Sequence, residues 1–566
     1  MVISAVVSRI SNLAPLRQLA VRTCVVTLLA PGSTLLFAQE RAPHNDAITA
    51  AKLRADLMFL GGDSFRGRLT NTPENNLALE WIASRFQAFG LKGPAGGSYF
   101  QPYNLITATL GERNELEIAS SGAAVRYGFG SDFYPHRHSV SGSVTAPVVF
   151  AGYGISAQTL GYDDLAGDVR GKILLVLDHE PGEADSASPF DGLVTSEYAN
   201  QLKKTLAAQE KGAAGVLFVS DLHAHPGPEN FDGSARNYWP AQPPRVERYL
   251  LGAWAERVRI PSAQISVALA QNIIRNTGKS LIDLAKAADN PKGGAPIPLP
   301  GVMAALITSV HRQVVRDRNV VAVLEGSDAT LKDQWVVVTG HPDHDGASAD
   351  QIWNGADDNG SGTVGLVAIA EAYALAAKEG RRPRRSILFA AFNSEERGLL
   401  GAWAFTEAPL VPLPQIVAVL NMDMIGRNEE VPDGGGNRFR GLPVQTAESN
   451  NNSVTLLGWS RSPTLTTAIE RANHSYGLVL KKNYDNNTSN LIRRSDHWPF
   501  IQRGVPGIWF HTGLHPDYHT IYDDPEKINY PKMEKITRLV HQVSWDLAQG
   551  VERPKLATEA VRQPPD

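Results

Sequence analysis

From residue 319 onward the chain alternates short, nearly all-apolar runs with amphipathic helical stretches, and this alternation is its strongest structural constraint. The runs are NVVAVLEG, QWVVVTG, RSILFAAFN, QIVAVLNMD and VPGIWFHTG. A strand that is apolar along its whole length needs cover on both faces, and helices supply it. TVGLVAIAEAYALAAKEG and LTTAIERANHSYG carry the helical spacing. The pattern implies an α/β fold, a mostly parallel sheet flanked by helices. Upstream, ITAAKLRADLMFL and LALEWIASRFQAFG also read as helices, and GLKGPAGGSYFQPYNL reads as loop.

At 566 residues more than one core is expected. Residues 46–142 are assigned to the N-terminal part of the main domain and 310–552 to its main part. Residues 143–290 differ: VTAPVVFAGYG, GKILLVLD and AAGVLFVS are short strands, ANQLKKTLAAQEKG is a helix, and PKGGAPIPLPG closes the segment as a loop. They read as a small α/β insert. RRPRR (381–385) reads as a solvated loop. With 54 basic against 58 acidic residues the chain lacks the footprint of a nucleic-acid binder, so no nucleic-acid partner is expected.

Residues 1–38 contain no acid and no lysine; Arg9, Arg17 and Arg22 precede the apolar stretch from Cys24 to Ala38. That stretch is short for a membrane span and reads as a secretory signal peptide. The mature chain is then expected to be exported, periplasmic or secreted, with no stable membrane association after cleavage. No second apolar stretch of spanning length is evident. Cys24 is the only cysteine, which excludes disulfides and Cys-rich metal sites.

The chemistry gathers where strands end, the place where open parallel sheets bind ligands. QWVVVTG runs into His341-Pro342-Asp343-His344-Asp345, RSILFAAFN into Ser394-Glu395-Glu396, QIVAVLN into Met422-Asp423, and VPGIWFHTG into His515-Pro516-Asp517-Tyr518-His519. Asp357-Asp358 sits in a loop just before a helix. A rim holding so many anions is stable only with cations, and mixed His and carboxylate donors suit zinc.

GHPDHDG, NGADDNGSG, NSEERGLLGA, LNMDMIGR and LHPDYHTIYDD, in that order, resemble the di-zinc (co-catalytic zinc) aminopeptidase family, one of a wider group that includes glutamate carboxypeptidases. VVFAGYGI, YDDLAGDVRGKILLVLD and KGAAGVLFVSD resemble the protease-associated domain inserted in several members. The resemblance implies a zinc exopeptidase fold, two zinc ions, and hydrolysis of peptides with a free N-terminus. It implies His341, Asp357, Glu396, Asp423 and His519 as metal ligands, with Asp357 bridging and the Asp357-Asp358 peptide cis. Asp343 is implied as the carboxylate orienting His341, Glu395 as general base, and Tyr518 as a phenol facing the developing oxyanion. Metal-assisted hydrolysis follows, with Glu395 carrying the proton to the leaving amine.

Other readings were weighed. Gly360-Ser361-Gly362-Thr363-Val364-Gly365 fits G-x-G-x-x-G, but a loop rather than a strand precedes it. Asp496, in RSDH, by the resemblance touches substrate or supports a ligand, and otherwise belongs to a structural turn that fixes WPF onto the core. His344, His511 and His515 are expected to lie near ligands without being ligands. A carboxypeptidase or aminoacyl cyclase on the same scaffold is the alternative enzyme, and a receptor-like ectodomain without catalysis the alternative class.

Overall fold

The computed structural model describes residues 41–557 apart from Ala95 and Ser121; the expected signal segment, with Cys24, lies outside them. The larger sheet contains nine strands: β1 (Phe100–Leu110), β2 (Leu250–Leu251), β3 (Val310–Leu324), β4 (Trp335–Gly340), β5 (Ser386–Ala391), β6 (Ile416–Met422), β7 (Ser453–Leu457), β8 (Val479–Lys481) and β9 (Gly507–His511). Their order across the sheet is β2-β1-β3-β5-β4-β6-β9-β7-β8. The expected parallel arrangement occupies the centre, where β5, β4, β6 and β9 pair in parallel. Outside it, β3 pairs antiparallel with β5, and β7 with β9.

Alternation along the strands shows why both faces need cover. Val336 and Val338 of β4, Ile387 and Phe389 of β5, and Leu420 of β6 enter one apolar core. Val337, Leu388, Ala390 and Val419, the residues between them, enter another. The first core is closed by helices α1 (Pro73–Phe89), α2 (Gly362–Lys378) and α3 (Tyr530–Gln549). Each start is built locally: Thr72 and Asn529 side chains accept the N–H groups of Asn75 and Lys532, with proline in the first turn of both helices. Ala356–Lys378 is long and apolar enough to cross a membrane, contrary to the expectation from sequence. Seventy-eight per cent of its apolar window is buried inside the protein, so here it is the helix against the sheet.

The second sheet has eight strands and runs wider than the expected insert. Glu115–Ser120, Ala123–Tyr127 and Phe133–Pro135 join it from the N-terminal side and Ile297–Thr308 from the C-terminal side. Four of its strands therefore lie outside the expected 143–290, and the 142/143 boundary leaves Gly142 off the strand Gly142–Phe150. Prolines hid Ile297–Thr308: Pro298 and Pro300 suggest a loop, yet the strand accommodates them where its register with Gly142–Phe150 shifts between Pro298 and Met303. The first half of β1, Phe100–Leu105, falls in the stretch expected to be loop, which also contains a proline, Pro102. RRPRR is only partly solvated. Arg385 is fully buried and donates to the carbonyls of Leu547, Gly550 and Val551 beyond the last helix.

One buried arginine ties the N-terminal segment to the strand ends. Arg68 donates to the carbonyls of Leu60, Pro342, Asn354 and Gly355, at 2.7–3.0 Å. A methionine in its place would take a donor from each of four buried carbonyls, of which Gly355 keeps the Gly360 N–H. Arg68→Met is expected to lower unfolding stability by about 3 kcal/mol or more, read as a shift in the denaturant midpoint.

Candidate metal centre

The parallel register fixes where the polar groups emerge. Gly340 is level with Ala391, Thr339 with Asn421, and Met422 with Phe510, so the segments after β4, β5, β6 and β9 leave the sheet at one edge. There the donors form two groups: His341, Glu395 and Asp423 in one, His344, Asp358, Glu396 and His519 in the other.

Asp358 joins them. One carboxylate oxygen lies 3.5 Å from His341 Nε2 and the other 3.1 Å from His519 Nε2. His341 Nε2 is also 3.5 Å from Asp423 and 3.7 Å from Glu395, and His519 Nε2 is 3.3 Å from Glu396. The expected bridging residue, Asp357, is not there. Its carboxylate accepts the Gly426 N–H at 2.6 Å and faces His515 Nε2 at 3.3 Å, outside both groups. The cis peptide is likewise Asp358-Asn359, not Asp357-Asp358. Two adjacent aspartates cannot be ranked from sequence, whereas the turn aims only the second at the histidines.

That turn is held from below. Asp523, fully buried, accepts the N–H groups of both Asp357 and Asp358 at 3.0–3.1 Å. Asn359 Oδ1 accepts from Gly362 and Met424, and its amide donates to Met422. A Cβ on Gly362 would stand 2.1 Å from the Met422 carbonyl, so this glycine of the G-x-G-x-x-G run serves close packing rather than a nucleotide.

Asp343 does something other than expected. Its carboxylate is 3.7 Å from His341 Nδ1, too far for a hydrogen bond, and the imidazole instead lies 3.2 Å from the Asp343 carbonyl. The carboxylate accepts the backbone N–H groups of Glu395 and Glu396 and the Thr70 hydroxyl. The orienting role expected of Asp343 falls at the other histidine to Asp345, 2.8 Å from His519 Nδ1. Burial opposes charge on Asp345, but His519, His344 and Arg397 hold its carboxyl well below the usual range. Ser495 donates to Asp423 Oδ2 at 2.5 Å, and Trp509 to the Asp423 carbonyl. Sequence reading missed Asp345 and Ser495 as positioning groups, although both sit inside quoted motifs. His344 is closer to the centre than expected, 2.7 Å from Glu396 Oε1.

The electrostatics are those of charges packed together out of water. Burial pushes the Glu395 carboxyl well above its ordinary value against the pull of His341, and Asp423, Glu396 and Asp496 push it further. Burial opposes protonation of His341, yet Glu395 and Asp423 raise it well above a free imidazole. Fully buried Asp496 has no hydrogen-bond partner on either oxygen and is likewise raised by burial. His341 Nε2 and His519 Nε2 also lack hydrogen-bond partners although these atoms are buried. Buried nitrogens left open toward shared carboxylates fit a metal centre. A cleft of about 230 Å³ opens onto it, lined by Glu395, Glu396, Asp423, Arg493, Arg494 and Tyr518 among others. The Tyr518 ring packs edge-on to His519, with centroids 4.2 Å apart.

Comparison with known proteins agrees. Residues 319–544 match the model of Peptidase family M28 and residues 144–249 that of the PA domain. This part of the chain belongs to Peptidase family M28. A probable glutamate carboxypeptidase of Arabidopsis thaliana, AMP1, is 26% identical over 412 residues, covering 69% of this chain and 51% of its own. Aminopeptidase NAALADL1 of Mus musculus is 36% identical over 121 residues, 20% of this chain and 15% of its own. The aminopeptidase from Aneurinibacillus sp. strain AM-1 superposes with a TM-score of 0.48 at 17% identity, over 92% of this chain and 98% of its own. The chain spans about half the length of the first curated relative. The likeness to Peptidase family M28 thus covers residues 319–544 and that to the PA domain residues 144–249.

The two aspartates should separate experimentally. Asp358→Asn should remove the drop in melting temperature that a chelator causes in the parent protein, because both donor groups lose their shared oxygen pair. Asp357→Asn should lower stability yet keep that drop. Differential scanning calorimetry with and without chelator reads both.

Proposed function

We propose that the chain is an aminopeptidase holding two zinc ions, one by His341 and Asp423, the other by Glu396 and His519, with Asp358 shared. Asp358, Glu396 and Asp423 bring three negative charges to two divalent ions, the balance expected for such a centre. Zinc held there would acidify a bound water and polarise the scissile carbonyl. Glu395 is the group left to move the proton. It stands among the ligands, and its backbone is fixed by Asp343. It takes the proton from water and hands it to the leaving amine. Tyr518 lines the cleft, which supports its assignment as donor to the developing oxyanion.

The observation carrying the aminopeptidase reading is a carboxylate in the cleft that the proposed zinc set leaves without an ion. Glu395 lines the cleft beside Asp358, Glu396 and Asp423 and can accept from a substrate's α-ammonium group. Arg493, also lining the cleft, is already engaged by Glu197 and the Thr195 carbonyl. Arg494 favours a second reading: it lines the same cleft and its guanidinium donates to the Ser489 carbonyl without a carboxylate partner among the described residues, so it could hold a substrate carboxylate as a carboxypeptidase requires. Export of the mature chain to the periplasm or medium is part of the proposal and rests on residues 1–38.

Matched peptides with a free or acetylated N-terminus, and a free or amidated C-terminus, separate the readings. Acetylation should nearly abolish turnover and amidation should not; the reverse pattern would establish the carboxypeptidase. Glu395→Gln should lower kcat by about 10²–10⁴ with zinc content near that of the parent. Glu396→Gln should lose zinc from one site. A Glu395→Gln protein with near-full activity would exclude the mechanism.

A further inference from the structure

A second constellation of donors lies in the other sheet, away from the cleft. His179 follows the strand Ile173–Leu177, and the turn carrying His225 follows the neighbouring parallel strand Gly215–Val219. Both rings meet one carboxylate. His179 Nδ1 is 3.3 Å from one oxygen of Glu183, and His225 Nε2 contacts the other. The ring centroids are 4.0 Å apart, tilted by 34°. All three donor atoms lie within 4.8 Å of one another.

The surroundings hold these groups in place without using their donor atoms. His179 has φ 64°, a left-handed conformation unusual for a residue with a side chain, and the buried Lys204 ammonium donates to its carbonyl and to that of Leu177. Asp221 Oδ1 accepts the N–H groups of His223 and Ala224, and its carbonyl that of His225, which shapes the turn. Asp289 Oδ1 accepts the Gly182 N–H. The adjacent Asp178 is committed to Gln201 and Gln264. As a hydrogen-bonded triad the arrangement requires each ring to carry its proton on the nitrogen that faces Glu183. One divalent cation replaces both protons.

We propose that His179, Glu183 and His225 form an additional zinc site in the PA domain, distinct from the catalytic centre. Two imidazole nitrogens and one carboxylate suit zinc rather than calcium or magnesium, whose donors are oxygens. The rings are 42% and 48% exposed, leaving room for water on the ion. The ion pins the 179–183 loop to the 221–225 turn. This loop runs on to Ser196, held by Glu180, and to Leu193 and Thr195, whose N–H groups donate to Asn486 and Asn490 beside the cleft. The site therefore stiffens the segment behind Arg493.

The test uses the full protein with its catalytic metals in place, equilibrated with buffered Zn²⁺ and analysed for zinc. The His179→Ala/His225→Ala variant and the milder Glu183→Gln variant should each hold one equivalent less than the parent. Turnover of a peptide substrate should be unchanged, and the rise in melting temperature on adding zinc should be confined to the parent. Equal zinc content in all three proteins overturns the proposal, whatever the melting temperatures. So does loss of more than one equivalent, which would place the effect at the catalytic centre.

Discussion

Everything at the carboxyl edge of the sheet follows from burying several carboxylates within a few ångströms of one another. Asp358, Glu395, Asp423 and Asp496 are each less than a tenth exposed, and the imidazoles between them are fully or mostly out of water. In a low dielectric such anions repel, and burial adds to the cost, so each is driven to keep a proton or to find a cation. Protonated histidines are a partial answer, seen in the raised affinity of His341 and His519 for protons. Divalent ions are a fuller one, because they satisfy the open histidine nitrogens at the same time.

Holding the anions there falls to groups that touch no metal. Arg68 gathers four carbonyls from the segments leading into and out of the centre, and Asp523 holds the two N–H groups under the Asp357-Asp358 turn. Burial opposes charge on Arg68 and lowers its pKa to about 10, with Asp523 and Asp343 opposing the loss. Arg68 therefore stays charged at neutral pH, a fixed positive group under an acidic site.

The sheet centre was legible because fully apolar strands between helices admit few arrangements, and NVVAVLEG, QWVVVTG and RSILFAAFN became strands as expected. Which residue types gather at the edge was legible for the same reason, since the register carries them there. Direction was not. Asp357 and Asp358 differ only in which way a turn faces, and Asp343 and Asp345 only in which neighbour lies within reach. The extent of the second sheet was obscured by Pro298 and Pro300, residues that suggest a loop until their place at a register shift is seen.

The Asp343 carboxylate links these observations. It comes from the segment after β4, yet it accepts the N–H groups of Glu395 and Glu396 after β5. One side chain thereby fixes the backbone of both the proposed base and a proposed ligand, relative to the strand end that carries His341. Ser394 precedes them at φ 61° and donates to Asp317 on β3, and Tyr103 on β1 donates to the same carboxylate at 2.9 Å. The chain turn that presents Glu395 is therefore tied to three strands besides its own. A base whose proton must pass between water and a leaving amine needs that rigidity, because small displacements cost much of the benefit of positioning. The antiparallel strands at the sheet margin, far from the metal donors in sequence, contribute to the chemistry by this route.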